Sequence, residues 1–140
     1  MHIKLIQLFL RYSLAIGFLS AVADRFGLWP EEQSAWGNWN TFLHYTHILT
    51  PWLPKSLIPV IGIIATAAEI SFALCLMVGF KTRLFAKLSG ILLLIFAFSM
   101  TLFTGIKGAL DYSVFSAAAA AFALSCFKEY YFEIDSFIYK

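Results

Sequence analysis

Hydrophobic positions in this chain run in four long blocks rather than alternating with polar ones. The first covers about 4–29, interrupted by Arg11 and ending on Asp24-Arg25. The second, 57–80, carries one charge, Glu69, and the third, 84–106, is broken only by Lys87 near its start. The fourth, 109–127, includes the alanine run 117–121. Each block approaches or exceeds the roughly 20 apolar residues that a helix needs to cross a bilayer. The connections at 79–83 and 105–108 are short, which favours antiparallel neighbours. The pattern predicts an all-α protein: one integral membrane domain over 1–140, built as a four-helix up-down bundle.

Segment 30–56, between helices 1 and 2, holds Trp36, Trp39 and Trp52, and Trp29 stands just before it, so all four tryptophans fall between residues 29 and 52. Tryptophan favours the headgroup level, where the ring is buried and the indole N–H stays wet. Within it, 36–49 reads as an amphipathic helix with Trp36, Trp39, Leu43 and Thr46 at helical spacing. An interfacial loop or helix that lies on the outer surface or caps the bundle is expected. Pro51, Pro54 and Pro59 punctuate the return, Pro59 where a first helical turn tolerates it. Tyr130, Tyr131 and Phe132 would form a matching belt at the other end. Lys4, Arg11 and the small triplet Ala21-Val22-Ala23 imitate a cleavable leader. Apolar residues already surround Lys4, however, so the segment is expected to be helix 1.

Composition fixes the solvent. Of 140 residues, 61% are hydrophobic and 13% charged, against roughly 45–50% and about 25% in soluble domains. With a mean hydropathy of +0.80, the chain has too little charge for an ordinary water-facing surface. The net charge of +2 is too small and scattered for a phosphate-binding patch, so nucleic acid is excluded as a partner and the lipid bilayer is expected. Four crossings put Lys4, Arg11, Lys81, Arg83, Lys87, Lys128 and Lys140 on one side, against Arg25, Lys55 and Lys107 on the other. The excess of Lys and Arg predicts cytoplasmic N- and C-termini.

Charges inside spans cost about 2.5–3.5 kcal/mol each on insertion scales, so each needs a partner or a purpose. Glu69 lies near the middle of its block, on a small and polar stripe of Gly62, Ala65, Thr66 and Ala73, and should point into the bundle. The expected partner is Arg11, about 10 Å into helix 1. Two readings stand: a structural ion pair that sets helix register, or a carboxyl lining a ligand or proton pocket. A second group collects near the outer end. Asp24 continues the stripe Ser13, Gly17, Ser20 and Ala21, Arg25 lies about 40° around the helix from Arg11, and Lys107 and Asp111 stand at i, i+4. These read either as interfacial charges or as the polar mouth of a pocket floored by Glu69. Tyr112 and the serines of helix 4 either donate to a ligand carbonyl or satisfy their own helices. His44 and His47 lack the further ligand that a metal site needs. Cys75 and Cys126, 51 positions apart, read as packing residues on a reducing side.

The stretch 69–100, EISFALCLMVGFKTRLFAKLSGILLLIFAFSM, resembles the DoxX-like family of small four-helix membrane proteins. It has a glutamate in helix 2, followed by an apolar turn that ends in Gly79-Phe80-Lys81-Thr82-Arg83. Arg11 matches an arginine that members often carry early in helix 1. The stretch 106–121, with Asp111-Tyr112-Ser113, is similar to the fourth helix of bacterial members. The resemblance implies a bacterial inner-membrane location. Some relatives are subunits of thiosulfate:quinone oxidoreductase, so it also implies a possible quinone and a soluble redox partner. No cofactor site is evident in the residues, and fold-level likeness does not confer chemistry.

Three functions follow as expectations. The first is a module whose buried polar site, Arg11 and Glu69 with Asp24, Asp111 and Tyr112, binds a lipid-like ligand or a partner. The second is a quinone-linked oxidoreductase subunit using the same site. The third is a small proton or solute pathway through Glu69.

Overall fold

The computed structural model describes residues 2–128 and 131–138, and every element among them is helical. Tyr130 of the expected belt and Lys140 of the basic end lie outside the described residues. Three helices are long and apolar enough to cross a membrane: α1 (His2–Arg25), α3 (Ile58–Val78, entered through a 3₁₀ turn at Lys55–Leu57) and α4 (Thr82–Phe103). Between the first two lies α2 (Trp39–Leu49). After α4 come α5 (Ile106–Asp111), α6 (Val114–Ser125) and a terminal turn, α7 (Asp135–Ile138).

The fourth expected crossing is therefore not one helix over 109–127. It breaks at Tyr112–Ser113, where Ser113 takes a left-handed backbone conformation, φ 55°. Asp111 and Ser113 belong to the residue types whose side chains compete for backbone hydrogen bonds, and they interrupt an otherwise apolar run. Alone, α6 is about 18 Å long, short of the roughly 30 Å hydrocarbon core.

The helix ends follow local chemistry. Asn38 caps α2 by accepting from the Thr41 amide at 2.9 Å. Pro59 sits in the first turn of α3. Gly79 ends α3 in the left-handed region, φ 72°, with the Phe80 amide returning to the Cys75 carbonyl. The long helices pack in pairs: α1 on α3, α3 on α4, α4 most closely on α6, and α6 on α1. Leu14, Ala15, Phe18, Ala73, Leu76, Ala86, Ala121 and Leu124 form the shared core. Gly90 lets α4 approach α6, because a Cβ there would stand 2.8 Å from the Phe122 ring. Segment α2 packs on α3, α4 and α1, burying Phe42 and Thr46.

The rotation of α1 differs from the expected one. Ser13 and Gly17 face outward, and the buried face is Gln7, Arg11, Leu14, Ala15, Phe18, Val22, Asp24 and Arg25. Two arginines on one face each require internal partners, and that requirement outweighs the close approach offered by small residues. On α3 the buried stripe is Gly62, Thr66, Glu69, Ala73 and Leu76, which agrees with the sequence pattern.

Candidate functional site

Glu69 is buried, and its partner is Arg25 rather than Arg11. The Arg25 guanidinium forms an ion pair with the Glu69 carboxylate, the side chains being 2% and 3% exposed. It also donates to Thr66 Oγ1 at 2.7 Å, and its carbon lies 4.0 Å from the Phe42 ring centroid and 5.4 Å from that of Trp36. Arg25 Nε is buried and has no hydrogen-bond partner among the described residues. The correction has a simple geometric cause. Antiparallel packing sets Arg25 against Thr66 and Glu69, and Arg11 against Leu76 and Met77, about 10 Å further along α3.

Asp24 organises the lid over this cluster. Its carboxylate accepts from the Ser34 hydroxyl and from the amides of Ala35 and Trp36, at 2.9 and 3.0 Å for the amides. Those bonds fold the loop back so that Trp36 lies over Arg25. Trp39 then stacks on Phe26 with centroids 5.7 Å apart, and Trp36 and Trp39 each meet Phe42 at 5.3 Å. Three aromatic rings thus close the outer side of a buried ion pair, where exclusion of water strengthens the electrostatics. Asp24 serves the lid instead of joining Glu69 in a pocket.

Arg11 is the centre of a second cluster at the opposite end, and the side chain is fully buried. Its Nε and Nη2 donate to the carbonyls of Leu76 and Met77 at 2.9 and 3.0 Å, satisfying acceptors that the end of α3 leaves open. Its Nη1 donates to the Tyr131 and Phe132 carbonyls at 2.8 and 3.0 Å and lies 3.7 Å from the Glu133 carboxylate. Gln7 and Thr82 also donate to Glu133. Burial pushes the Glu133 carboxyl above the usual carboxylate range, opposed by the Thr82 hydroxyl and the Arg11 charge. Asp135 accepts from the Lys81 and Thr82 amides at 2.7 and 2.9 Å, capping α4 from a distant part of the chain. The amides of Ile134 and Asp135 return to the Val78 and Gly79 carbonyls.

The Gly79-to-Arg83 motif is absorbed by the same junction. A Cβ on Gly79 would meet Glu133 Cα at 2.5 Å. Arg83 donates to the Phe127 and Lys128 carbonyls, pinning the exit of α6. The remaining candidates stand apart: Asp111 pairs with Lys107 on the surface, and Tyr112 is 73% exposed beside it.

Gln7, Glu133 and Asp135 had not stood out in the sequence. The signal for the two acids is an inverted alternation in 132–135, where Phe132 and Ile134 are exposed and Glu133 and Asp135 are buried; Gln7 carries none. Comparison of the chain with protein-family models, with curated proteins and with solved structures gives no match.

Proposed function

We propose that this is an integral membrane protein of the DoxX-like kind, a four-helix up-down bundle in a bacterial inner membrane with both termini cytoplasmic. In this reading α5 and α6 together make the fourth crossing, and α2 lies at the outer interface. The protein acts as a binding or assembly module. Its polar site, centred on Arg25 and Glu69, takes the oxygen-bearing head of a lipid-like molecule or the polar group of a membrane partner.

The observation that carries this reading is the buried Arg25 Nε, without a hydrogen-bond partner among the described residues, next to an ion pair and beneath an aromatic lid. A buried donor left unsatisfied costs about 1–3 kcal/mol, and a ligand oxygen would recover that. The same donor suits a quinone carbonyl, and the resemblance noted above makes a quinone-linked oxidoreductase subunit the second reading. A quinone there would supply two-electron redox chemistry, with electrons reaching it from a partner protein. Arg25 would hold its carbonyl, and Phe42 and Trp36 would exclude water around it.

Mass spectrometry of an organic extract from gently purified protein tests both readings, comparing wild type with Glu69→Gln and Arg25→Lys. Stoichiometric quinone, lost in the variants, favours the redox subunit. One enriched lipid-like species, lost in the same variants, favours the binding module. The same bulk phospholipid in all three proteins refutes a ligand at this site and leaves the pair as a structural lock.

A further inference from the structure

We propose that the groove between the C-terminal segment and the end of α3 binds the headgroup region of an anionic phospholipid drawn from the surrounding leaflet. The inference rests on the reading that the chain spans a membrane, but it concerns a site at the opposite end from Arg25 and Glu69. The groove has a volume of about 410 Å³ and a mainly apolar lining that includes Val78, Phe132, Ile134 and Phe137; Glu133 and Ser136 also line it.

Three features fit that occupant. The first is the inversion of the segment. Glu133 and Asp135 are each 2% exposed and committed to Gln7, Arg11, Thr82 and the α4 amides, whereas Phe132 and Phe137 are 74% and 80% exposed. Phe132 holds a left-handed backbone, φ 48°, which a bulky residue adopts only when its surroundings impose it. The bond from the fully buried Arg11 to the Phe132 carbonyl imposes it here. The fold thus spends strain to aim an aromatic ring away from the protein.

The second feature is charge. With the Glu133 and Asp135 carboxylates engaged inside the protein, two exposed lysines flank the segment. Lys4 places its ammonium 5.7 Å from the Tyr131 ring centroid, and the exposed Lys81 sits beside Asp135, its ammonium 5.5 Å from the Phe80 ring. Amphipathic ammonium groups over aromatic rings at a bilayer edge complement anionic headgroups. The third feature is continuity. Leu74 and Val78, one turn apart on α3, are both about half exposed, so an apolar track leads from the helix flank into the groove. A lipid can enter sideways with its chains still in the bilayer.

The test uses the full chain in nanodiscs of mixed phosphatidylglycerol and phosphatidylcholine, released into native mass spectrometry to read the retained lipid. Wild type should retain phosphatidylglycerol preferentially. Lys4→Gln and Lys81→Gln should each weaken that preference roughly fivefold, and Phe137→Ser should lower retention of both lipids. Asp111→Asn, at an exposed position away from both clusters, should leave the preference unchanged. Lys4, Lys81 and Phe137 are all exposed, and helix content by circular dichroism confirms that the variants fold. Equal retention of the two lipids by wild type overturns the proposal, as does a preference that survives both lysine changes. A partner protein retained in place of lipid overturns it too. Failure of wild type to enter nanodiscs with its helices intact refutes the membrane reading instead.

Discussion

Replacing Glu69 with leucine should be among the most damaging single changes in this protein, and the reason is its partner. The variant leaves the Arg25 guanidinium 2% exposed, with Thr66 as its remaining hydrogen-bond acceptor. Removing one member of a buried ion pair typically costs about 3–5 kcal/mol, because the other charge stays behind uncompensated. At 1.4 kcal/mol per decade, that is a shift of roughly 100- to 4,000-fold in the folding equilibrium. Replacing both partners, Arg25→Met with Glu69→Leu, should recover most of the loss, since well-packed apolar pairs are often neutral substitutes. Equilibrium unfolding in mixed micelles reads the effect through helix content. Tryptophan emission adds a local signal, because Trp36 lies 5.4 Å from the Arg25 guanidinium. A double-mutant cycle then identifies the partner. Arg25 and Glu69 should show strong coupling, whereas Arg11 and Glu69 should add within about 0.5 kcal/mol, as distant sites do. Strong Arg11–Glu69 coupling, or a double variant no better than Glu69→Leu alone, would refute the assignment.

Four further outcomes follow from the second cluster and the surface. Gly79→Ala forces an L-residue into the left-handed region, at about 1–2 kcal/mol, and also clashes with Glu133. Its thermal midpoint should fall, and an unchanged midpoint would mean that the C-terminal segment does not dock there. Asp135→Ala removes a cap worth roughly 0.5–2 kcal/mol, so amide exchange should quicken at the start of α4, around Thr82. The raised Glu133 carboxyl gives a signed pH effect. The folded state holds that proton more tightly than the unfolded chain, so its contribution to stability is full in acid. It is lost as pH rises from the ordinary carboxylate range through the raised value. Glu133→Gln should flatten that part of the stability–pH curve, and a wild-type curve rising through it would contradict the assignment. Asp111→Asn should leave melting unchanged, because its pair with Lys107 is solvent-exposed.

The hydrophobic blocks alone specify the three long helices, though not the break between α5 and α6. Long apolar runs with few charges must satisfy their backbone internally, and helices do this within a single segment. The stripe that buries Glu69 was legible for the same reason, since residues at helical spacing share a face whatever the neighbours do. Pro59 also announced the start of α3 through local chemistry, whereas the Asn38 cap, which starts α2 at Trp39 instead of Trp36, was not read from the sequence.

Partnership was not legible, because it depends on how far one helix slides along another. A shift of seven residues moves the arginine opposite Glu69 by about 10 Å, and the block pattern is nearly unchanged by such a shift. Only tertiary packing paired Glu69 with Arg25 and gave Arg11 the carbonyls at the end of α3. It also brought Glu133 and Asp135, more than fifty positions from Thr82, back to close the α3–α4 turn. Local pattern fixes which residues form a helix and which share its face. The pairing of charges between helices is decided by contacts that exist only once the helices have packed.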